Sequence, residues 1–205
     1  MSISEDALDA LKETSRTFFL PISHLPGGLQ EAVMASYLCL RAIDEIEDHP
    51  RLDSHTKARL LRAISRTLQT SFQANDFAEV LENCWEELPE VTRRVGDWAM
   101  LAPISIAPRI WGTTARMAEC MAQWAIDGWT IQNEVDLDRY AFEVAGAVGL
   151  LTSDLWVWYD GTLSNRPQAI GFGRGLQTVN ILRNHAEDMA RGVDFFPRGW
   201  QAEDM

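Results

Sequence analysis

The chain has 205 residues, of which 46% are hydrophobic and 23% are charged. This composition provides enough apolar sequence for one buried core and excludes a disordered chain. The formal net charge is −12 with no basic stripe to offset it, which argues against nucleic acid as a partner and against strong attraction to anionic lipid.

Helical periodicity dominates the sequence, and no convincing run of alternating residues indicates a strand. Ser2 or Ser4 is expected to cap a first helix that runs towards Phe19, and Asp53 or Ser54 to cap the third helix. Prolines and glycines at positions 21, 26, 27 and 28 are expected to separate the first two helices. The predicted helices cover about residues 2–19, 29–48, 54–68, 76–87, 89–98, 108–128, 136–159 and 167–191. No linker or repeat stands out, so the sequence predicts one all-α domain over residues 1–205.

The ends of the chain and its cysteines bear on where the protein acts. The amino terminus is acidic and has no apolar core, so no signal peptide is expected. The most apolar stretch, residues 98–107, is broken by Pro103 and is shorter than the roughly 20 residues of a membrane-spanning helix. Cys39, Cys84 and Cys120 are far apart and are expected to be buried thiols rather than nucleophiles. A cytoplasmic location is the resulting expectation.

The strongest functional signal is the acidic end of an apolar helix, YLCLRAIDEIED at residues 37–48. Asp44 and Asp48 are four residues apart and share a helix face, with Arg41 one turn earlier. Like charges at this spacing repel, and each carboxylate opposes the helix dipole by roughly 0.3–1 kcal/mol. A divalent cation would remove these penalties, and oxygen ligands on adjacent turns suit Mg²⁺. The alternative interpretation is a solvated acidic turn that leads into a loop.

A second polar stripe follows in QTVNILRNHAED, residues 177–188. Gln177, Asn180, Asn184 and Asp188 fall on one face of the predicted helix. Amide and carboxylate oxygens are acceptable Mg²⁺ ligands, while an amide ladder bonded to a neighbouring helix is the alternative. Two such stripes facing each other across a bundle would form a site in its core.

These motifs, with three others in the same order, resemble the squalene/phytoene synthases, the head-to-head trans-prenyl synthases. DEIED at 44–48 resembles the first aspartate-rich motif of that family, and the stripe at 177–188 resembles the second. SRTF at 15–18 resembles the N-terminal diphosphate-contacting motif, YAFEVAGAVG at 140–149 the YxxxVAGxVG helix, and FFP at 195–197 the segment after the second motif. The resemblance covers almost the whole chain and implies an isoprenoid-synthase-type helical bundle with a central cavity.

The resemblance also implies roles for individual residues. The implied Mg²⁺ ligands are Asp44, Asp48, Asn180, Asn184 and Asp188. The implied substrate contacts are Ser15, Arg16, Thr17, Phe18, Arg41, Gln177 and Arg183. The implied catalytic residues are Asp44, Asp48, Asp188 and Tyr140.

Two departures from the family pattern matter for the expected chemistry. The family normally has Asp where this sequence has Asn184, so one anionic metal ligand becomes neutral. The sequence also stops at Met205, before the family's last helices, which complete the pocket.

The reaction implied by the resemblance begins with loss of a diphosphate, whose charge Mg²⁺ and arginines would stabilise. A second prenyl diphosphate would then add head to head to form squalene, dehydrosqualene or phytoene, with NADPH required only for squalene. Two alternatives stay open, namely a prenyl diphosphate hydrolase that releases farnesol and a non-catalytic truncated helical module. Small isoprenoid diphosphates are the expected partners, transient membrane contact for release of an apolar product stays open, and no oligomeric state is indicated.

Overall fold

A computed structural model of the chain describes residues 3–15 and 17–205. No strand occurs in that part of the chain, so the predicted all-α class is confirmed. The helices are α1 (Ile3–Thr14), α2 (Phe19–Ser23), α3 (Leu29–Glu47), α4 (Ser54–Leu68), α5 (Asp76–Leu81), α6 (Glu90–Arg93), α7 (Val95–Leu101), α8 (Ala107–Ile126), α9 (Glu134–Ala141), α10 (Ala147–Asp160) and α11 (Arg166–Ala190). Two 3₁₀ turns, Glu82–Cys84 and Ala202–Asp204, and a π-turn, Phe142–Gly146, occur between or after them.

The amino-terminal part differs from its prediction. The first helix ends at Thr14, and the separate helix α2 begins at Phe19 with Pro21 in its first turn. Proline is tolerated there because the N–H that it lacks would have no intrahelical partner. Ser4 lies within α1 rather than at its cap, and Ser2 lies outside the described residues.

The other boundaries follow the prediction within a few residues, with three subdivisions. Asp53 caps α4 as predicted, because its side chain accepts from the amides of His55 and Thr56 at 3.0 Å each. The predicted helix over 76–87 is α5 followed by a 3₁₀ turn, and the one over 89–98 is divided into α6 and α7. The predicted helix over 136–159 is divided by the π-turn into α9 and α10.

Helix α3 forms the centre of the protein. It packs against α1, α6, α7, α8 and α10, and the side chains of Met34, Leu38 and Ile43 have no exposed surface. Each large apolar side chain buried in this way contributes about 1.5–3 kcal/mol. The carboxylates at the end of α3 are therefore held by the core and not by a loop.

Helix α11 lies unusually close to α10 and to the preceding π-turn at two glycines. A Cβ atom at Gly149 would lie 2.2 Å from the carbonyl oxygen of Ala169, and one at Gly173 would lie 2.5 Å from that of Ala145. Only glycine permits this approach of backbone to backbone. Gly149 belongs to the 140–149 motif, so the small residues of that motif set the position of α11.

The three cysteines are free and buried, as the sequence predicts. Burial raises the pKa of the Cys39 thiol to about 12. A thiol that stays protonated at neutral pH is a poor nucleophile, so Cys39 acts as a core residue.

The outer face of α11 carries large apolar side chains that no other described helix covers. Phe172 is 68% exposed and Val179 is 57% exposed, and Leu176, Leu182 and Met189 are exposed as well. Neither α11 nor any other helix in residues 3–15 and 17–205 has the length and apolar character that a membrane crossing requires.

Candidate active site

Three carboxylates converge at the C-terminal end of α3. Asp44, Glu47 and Asp48 each offer an oxygen atom, and these atoms lie within 4.8 Å of one another. Spacings of three and four residues place the three side chains on one helix face. Glu47 is not among the site residues predicted from the sequence, although it lies three residues after Asp44, a spacing that places it on the same helix face. Asp44, Glu47 and Asp48 are called the carboxylate cluster below.

The carboxylate cluster disfavours its own negative charge. Burial, followed by the charge of Asp48, raises the pKa of Asp44 to about 6. Burial, followed by Asp48 and Asp44, raises the pKa of Glu47 well above its ordinary value. Each shift means that the folded protein destabilises the ionised form of the group, so a cation at this place would be favourable.

Trp129 and Lys57 hold Glu47 in the cluster. The indole N–H of Trp129 donates to Oε1 of Glu47. Nζ of Lys57 donates to the carbonyl oxygen of Glu47 at 2.6 Å and lies 5.0 Å from the centre of the Trp129 ring. Trp129 has a φ of 48°, a left-handed conformation that costs about 1–2 kcal/mol outside glycine. The strained backbone of Trp129 thus positions its indole N–H to donate to Glu47 of the cluster.

Arg41 pairs with carboxylates of its own helix. Its Nη1 lies 2.5 Å from Oδ2 of Asp44, and its Nη2 donates to Glu45. Its Nε is buried and has no hydrogen-bond partner among the described residues. The predicted substrate contact therefore lies next to the carboxylate cluster with one donor still available.

Arg191 joins the first motif to the second. It follows the last residue of α11, and its Nη1 donates to Oδ1 of Asp48 at 2.7 Å and to the carbonyl oxygen of Asp48 at 3.0 Å. Its Nη2 donates to Oδ1 of Asp188. Burial alone would lower the pKa of Arg191, but the bonds to Asp48 and Asp188 raise it well above its ordinary value. The side chains of Asp48 and Asp188 thus meet at one guanidinium group.

The rest of the second stripe lies farther along α11. Asp188 is 6% exposed, whereas Gln177 and Asn184 are half-buried and Asn180 and Arg183 are exposed. Among the described contacts, only Asp188 of the stripe is linked to the carboxylate cluster. The structure therefore brings the end of the stripe to the first motif, while the earlier residues of the stripe are only partly covered or are exposed.

Tyr140 lies among the carboxylates of both motifs. It is 3% exposed, its ring stacks on that of Phe195 with 4.7 Å between the centres, and it meets the Trp124 ring edge-on at 5.4 Å. Burial raises the pKa of Tyr140 well above its ordinary value, and the carboxylates of both motifs raise it further. The hydroxyl group therefore stays protonated and can donate to an anionic ligand.

The N-terminal motif lies beside α3. The amide of Phe18 donates to Oγ of the buried Ser15 at 2.8 Å, and Thr17 and Phe18 are exposed. The Phe18 ring lies 6.1 Å from the ring of Tyr37, which is on the α3 face that carries the carboxylate cluster. The predicted substrate contact at Arg16 lies outside the described residues.

A cavity of about 300 Å³ borders the carboxylate cluster at the end of α3. Glu47, Lys57, Trp129, Arg191 and Phe195 are among the residues that line it. The cavity is lined by two cationic side chains, Lys57 and Arg191, and two acidic ones, Glu47 and Asp53, so its walls suit a polar ligand.

The oxygen atoms of the carboxylate cluster fit a divalent cation such as Mg²⁺. They are hard, negatively charged donors on adjacent helical turns, and Asp188 of α11 reaches the same guanidinium group as Asp48. A doubly charged ion would offset the repulsion that raises the pKa of Asp44 and Glu47. Asp44, Glu47, Asp48 and Asp188 are therefore the residues that would hold the metal.

We expect the effect of Asp44→Asn on stability to depend on pH in the metal-free protein. The folded-state pKa of Asp44, about 6, lies above its ordinary value of 3.8. The ionised carboxylate therefore opposes folding fully above about pH 6, and this penalty declines as the pH falls from about 6 towards 3.8. Relative to the wild type, Asp44→Asn should be more stable at pH 7.5 than at pH 5. Water screens this partly exposed side chain, so the difference should be about 1 kcal/mol or less.

Urea unfolding of both proteins in EDTA at the two pH values measures this difference. The same titration of Asp138→Asn, which removes an exposed carboxylate that pairs with Arg174, is the control. An Asp44→Asn effect that is the same at both pH values would show that this carboxyl group titrates as an ordinary surface aspartate.

The comparisons with known proteins all indicate the same family. The family model described as squalene/phytoene synthase matches residues 11–204. The chain is 32% identical to squalene synthase of Schizosaccharomyces pombe over 198 residues, which covers 92% of this chain and 43% of that protein. It is 34% identical to squalene synthase of Candida albicans over 199 residues, which covers 93% of this chain and 44% of that protein.

Solved structures show the same similarity in three dimensions. The chain is similar to TcSQS in complex with a ligand, with a TM-score of 0.75 and 25% sequence identity, and the match covers 96% of this chain and 58% of that one. The chain thus spans less than half the length of the two fungal relatives.

Proposed function

The chain belongs to the squalene/phytoene synthase family, and from that premise we propose that it acts on isoprenoid diphosphates with Mg²⁺ bound at the carboxylate cluster. The proposed reaction is the head-to-head condensation of two farnesyl-type diphosphates. The single observation that supports it most strongly is the convergence of three carboxylate oxygens within 4.8 Å, next to the buried Asp188 of the second motif.

The proposed roles of the side chains follow from their positions. Asp44, Glu47, Asp48 and Asp188 would bind the metal, which when bound would neutralise the charge of the departing diphosphate. Arg41 lies beside the cluster, where it pairs with Asp44, and its positive charge would stabilise a phosphate group bound there. Tyr140 is protonated at neutral pH like any tyrosine, and burial and the nearby carboxylates raise its pKa further, so it would donate to the leaving group or hold it in place.

The N-terminal motif would contribute contacts on the same side. Phe18 is 45% exposed and its ring lies near Tyr37 on the face of α3 that carries the carboxylates. Aromatic surface at this place would shield an allylic cation from water. In the second motif, Gln177 and Arg183 would contact the substrate, and Asn180 and Asn184 would complete the metal ligands.

Product analysis with farnesyl diphosphate and Mg²⁺ tests the proposal. A C₃₀ hydrocarbon supports condensation, and EDTA should abolish its formation. Farnesol would indicate hydrolysis, and the absence of any product would favour a helical module without catalysis.

Hydrolysis is the second candidate function, and the exposure of part of the second motif favours it. Asn180 and Arg183 are exposed, so an allylic cation formed beside that part of α11 would be accessible to water. Water could then capture the cation before a second diphosphate adds.

We expect Asn184→Asp to tighten Mg²⁺ binding and to increase hydrocarbon relative to alcohol. A neutral amide can bind the ion but supplies no charge, so a carboxylate at this position should improve the affinity by up to about tenfold, or about 1.4 kcal/mol. Calorimetric titration and product analysis by gas chromatography measure the two effects.

The matched control for Asn184→Asp is Asn165→Asp, which adds the same charge at the exposed N-cap of α11, outside the stripe. We expect Asn184→Asp to have the larger effect, because Asn184 is half-buried and only one turn from Asp188. Unchanged Mg²⁺ affinity and product ratio in Asn184→Asp would remove this position from the metal site.

A further inference from the structure

The link between the two motifs is made by an arginine, which requires an explanation in a metal site. Nη1 of Arg191 binds Oδ1 of Asp48 at 2.7 Å, and Nη2 binds Oδ1 of Asp188. Both oxygen atoms belong to residues proposed to bind Mg²⁺. The guanidinium group therefore occupies one oxygen of each carboxylate.

The other cations near the cluster do not form this link. Arg41 pairs with Asp44 and Glu45, both on α3, and Lys57 reaches the backbone carbonyl of Glu47. Among these three cations of the described site, Arg191 contacts carboxylates of both α3 and α11. It also binds the carbonyl oxygen of Asp48, where a positive charge is favourable at the C-terminus of a helix.

We propose that Arg191 is an internal counter-ion that holds Asp48 and Asp188 together in the metal-free protein and competes with Mg²⁺ for them. This inference rests on the proposed function, since it requires the metal to bind at these carboxylates. Mg²⁺ needs oxygen ligands at about 2.0–2.1 Å in near-octahedral geometry. A guanidinium group on one oxygen of each carboxylate restricts how the other oxygen can turn towards the ion, and its positive charge repels the ion. In this proposal, a metal ion held by both carboxylates displaces Arg191 from at least one of them.

The consequence is a site whose two carboxylates are already close together without the metal but are held by Arg191. Arg191 keeps the two carboxylates close without the metal, because charge-assisted hydrogen bonds offset their mutual repulsion. The same bonds lower the affinity for the metal alone. Removing Arg191 should thus lower the stability of the metal-free protein and raise its affinity for Mg²⁺. Loss of a purely structural contact would lower both the stability and the affinity.

The test is Arg191→Gln in the full chain. Calorimetric titration with Mg²⁺ should give a dissociation constant about tenfold lower than that of the wild type. In EDTA the melting temperature should be lower than that of the wild type by roughly 2–8 °C, and saturating Mg²⁺ should remove most of this difference. Arg191→Lys keeps the charge, but an ammonium group cannot bridge two carboxylates as a guanidinium does, so its Mg²⁺ affinity should lie between those of the other two proteins.

Arg94→Gln is the matched control. Arg94 also bridges carboxylates, with 2.9 Å to Asp6, 2.8 Å to Asp97 and 3.6 Å to Glu90, and its side chain is 27% exposed compared with 28% for Arg191. It lies outside the carboxylate cluster. Arg94→Gln should lower the melting temperature and leave the Mg²⁺ dissociation constant unchanged.

Two results would overturn the inference in different ways. If the wild type binds Mg²⁺, Asp48→Ala does not, and neither Arg191 variant binds more tightly than the wild type, then Arg191 does not compete with the metal and the proposed metal site stands. If the wild type and both Arg191 variants all bind no Mg²⁺, then the carboxylate cluster is not a metal site and the proposed function fails with the inference.

Discussion

Asp48→Ala is expected to lower Mg²⁺-dependent turnover of farnesyl diphosphate by roughly 100- to 1000-fold while the chain stays folded. The change removes a carboxylate that points into the cluster with Asp44 and Glu47, and a metal that neutralises developing charge contributes on this order to the rate. Release of pyrophosphate as a function of Mg²⁺ concentration measures the loss.

The fold should tolerate Asp48→Ala because two effects oppose each other. The change removes the bond to Arg191, but it also relieves the repulsion that raises the pKa of Asp44 and Glu47. We therefore expect a change in unfolding free energy within about 1 kcal/mol in EDTA.

The control for Asp48→Ala is Asp138→Ala, which removes a half-exposed carboxylate paired with Arg174. It should keep turnover close to that of the wild type. Turnover of Asp48→Ala within tenfold of the wild type would exclude Asp48 as a metal ligand, and unfolding of the metal-free variant would assign it a structural role.

Gly149→Ala is expected to destabilise the protein by about 2–3 kcal/mol, towards the upper end of the range for overpacking. The new Cβ atom would lie 2.2 Å from the carbonyl oxygen and 2.6 Å from the carbonyl carbon of Ala169. These are backbone atoms of α11, so no side-chain rotation can relieve the contact. For a chain of this size the melting temperature should fall by roughly 5–10 °C. Because α11 carries Asp188, its displacement should also weaken Mg²⁺ binding.

Gly171→Ala is the matched control for Gly149→Ala. Gly171 also lies within a helix, but a Cβ atom there would meet nothing within 4 Å. Alanine should stabilise that position by about 0.5–1 kcal/mol through its higher helix propensity. Thermal unfolding of both variants gives the comparison, and a Gly149→Ala protein as stable as Gly171→Ala would mean that α10 and α11 do not pack at this glycine.

The sequence by itself predicted the long helices and the position of the first motif. The spacing of Asp44 and Asp48 determines that they share a face of α3, because neighbours on a helix are set by the local backbone geometry. The apolar residues before them predict the burial of α3, which the structure confirms at Leu38 and Ile43. The cap at Asp53 is equally local, because it needs only the amides two and three residues later.

The links between distant segments were decided by the tertiary structure alone. Arg191 and Asp48 are 143 residues apart in the sequence, and the indole that holds Glu47 is 82 residues away from it. No periodicity carries that information, because such contacts depend on how the helices pack and not on residues nearby in the chain. The π-turn at Phe142–Gly146 divides a segment that the sequence predicts as one helix. The pattern of apolar residues does not reveal that one residue is inserted into a helical turn. The sequence therefore determined which residues could form the site, and the packing of the helices, which brings Arg191 after α11 to Asp48 at the end of α3, decided which of them meet.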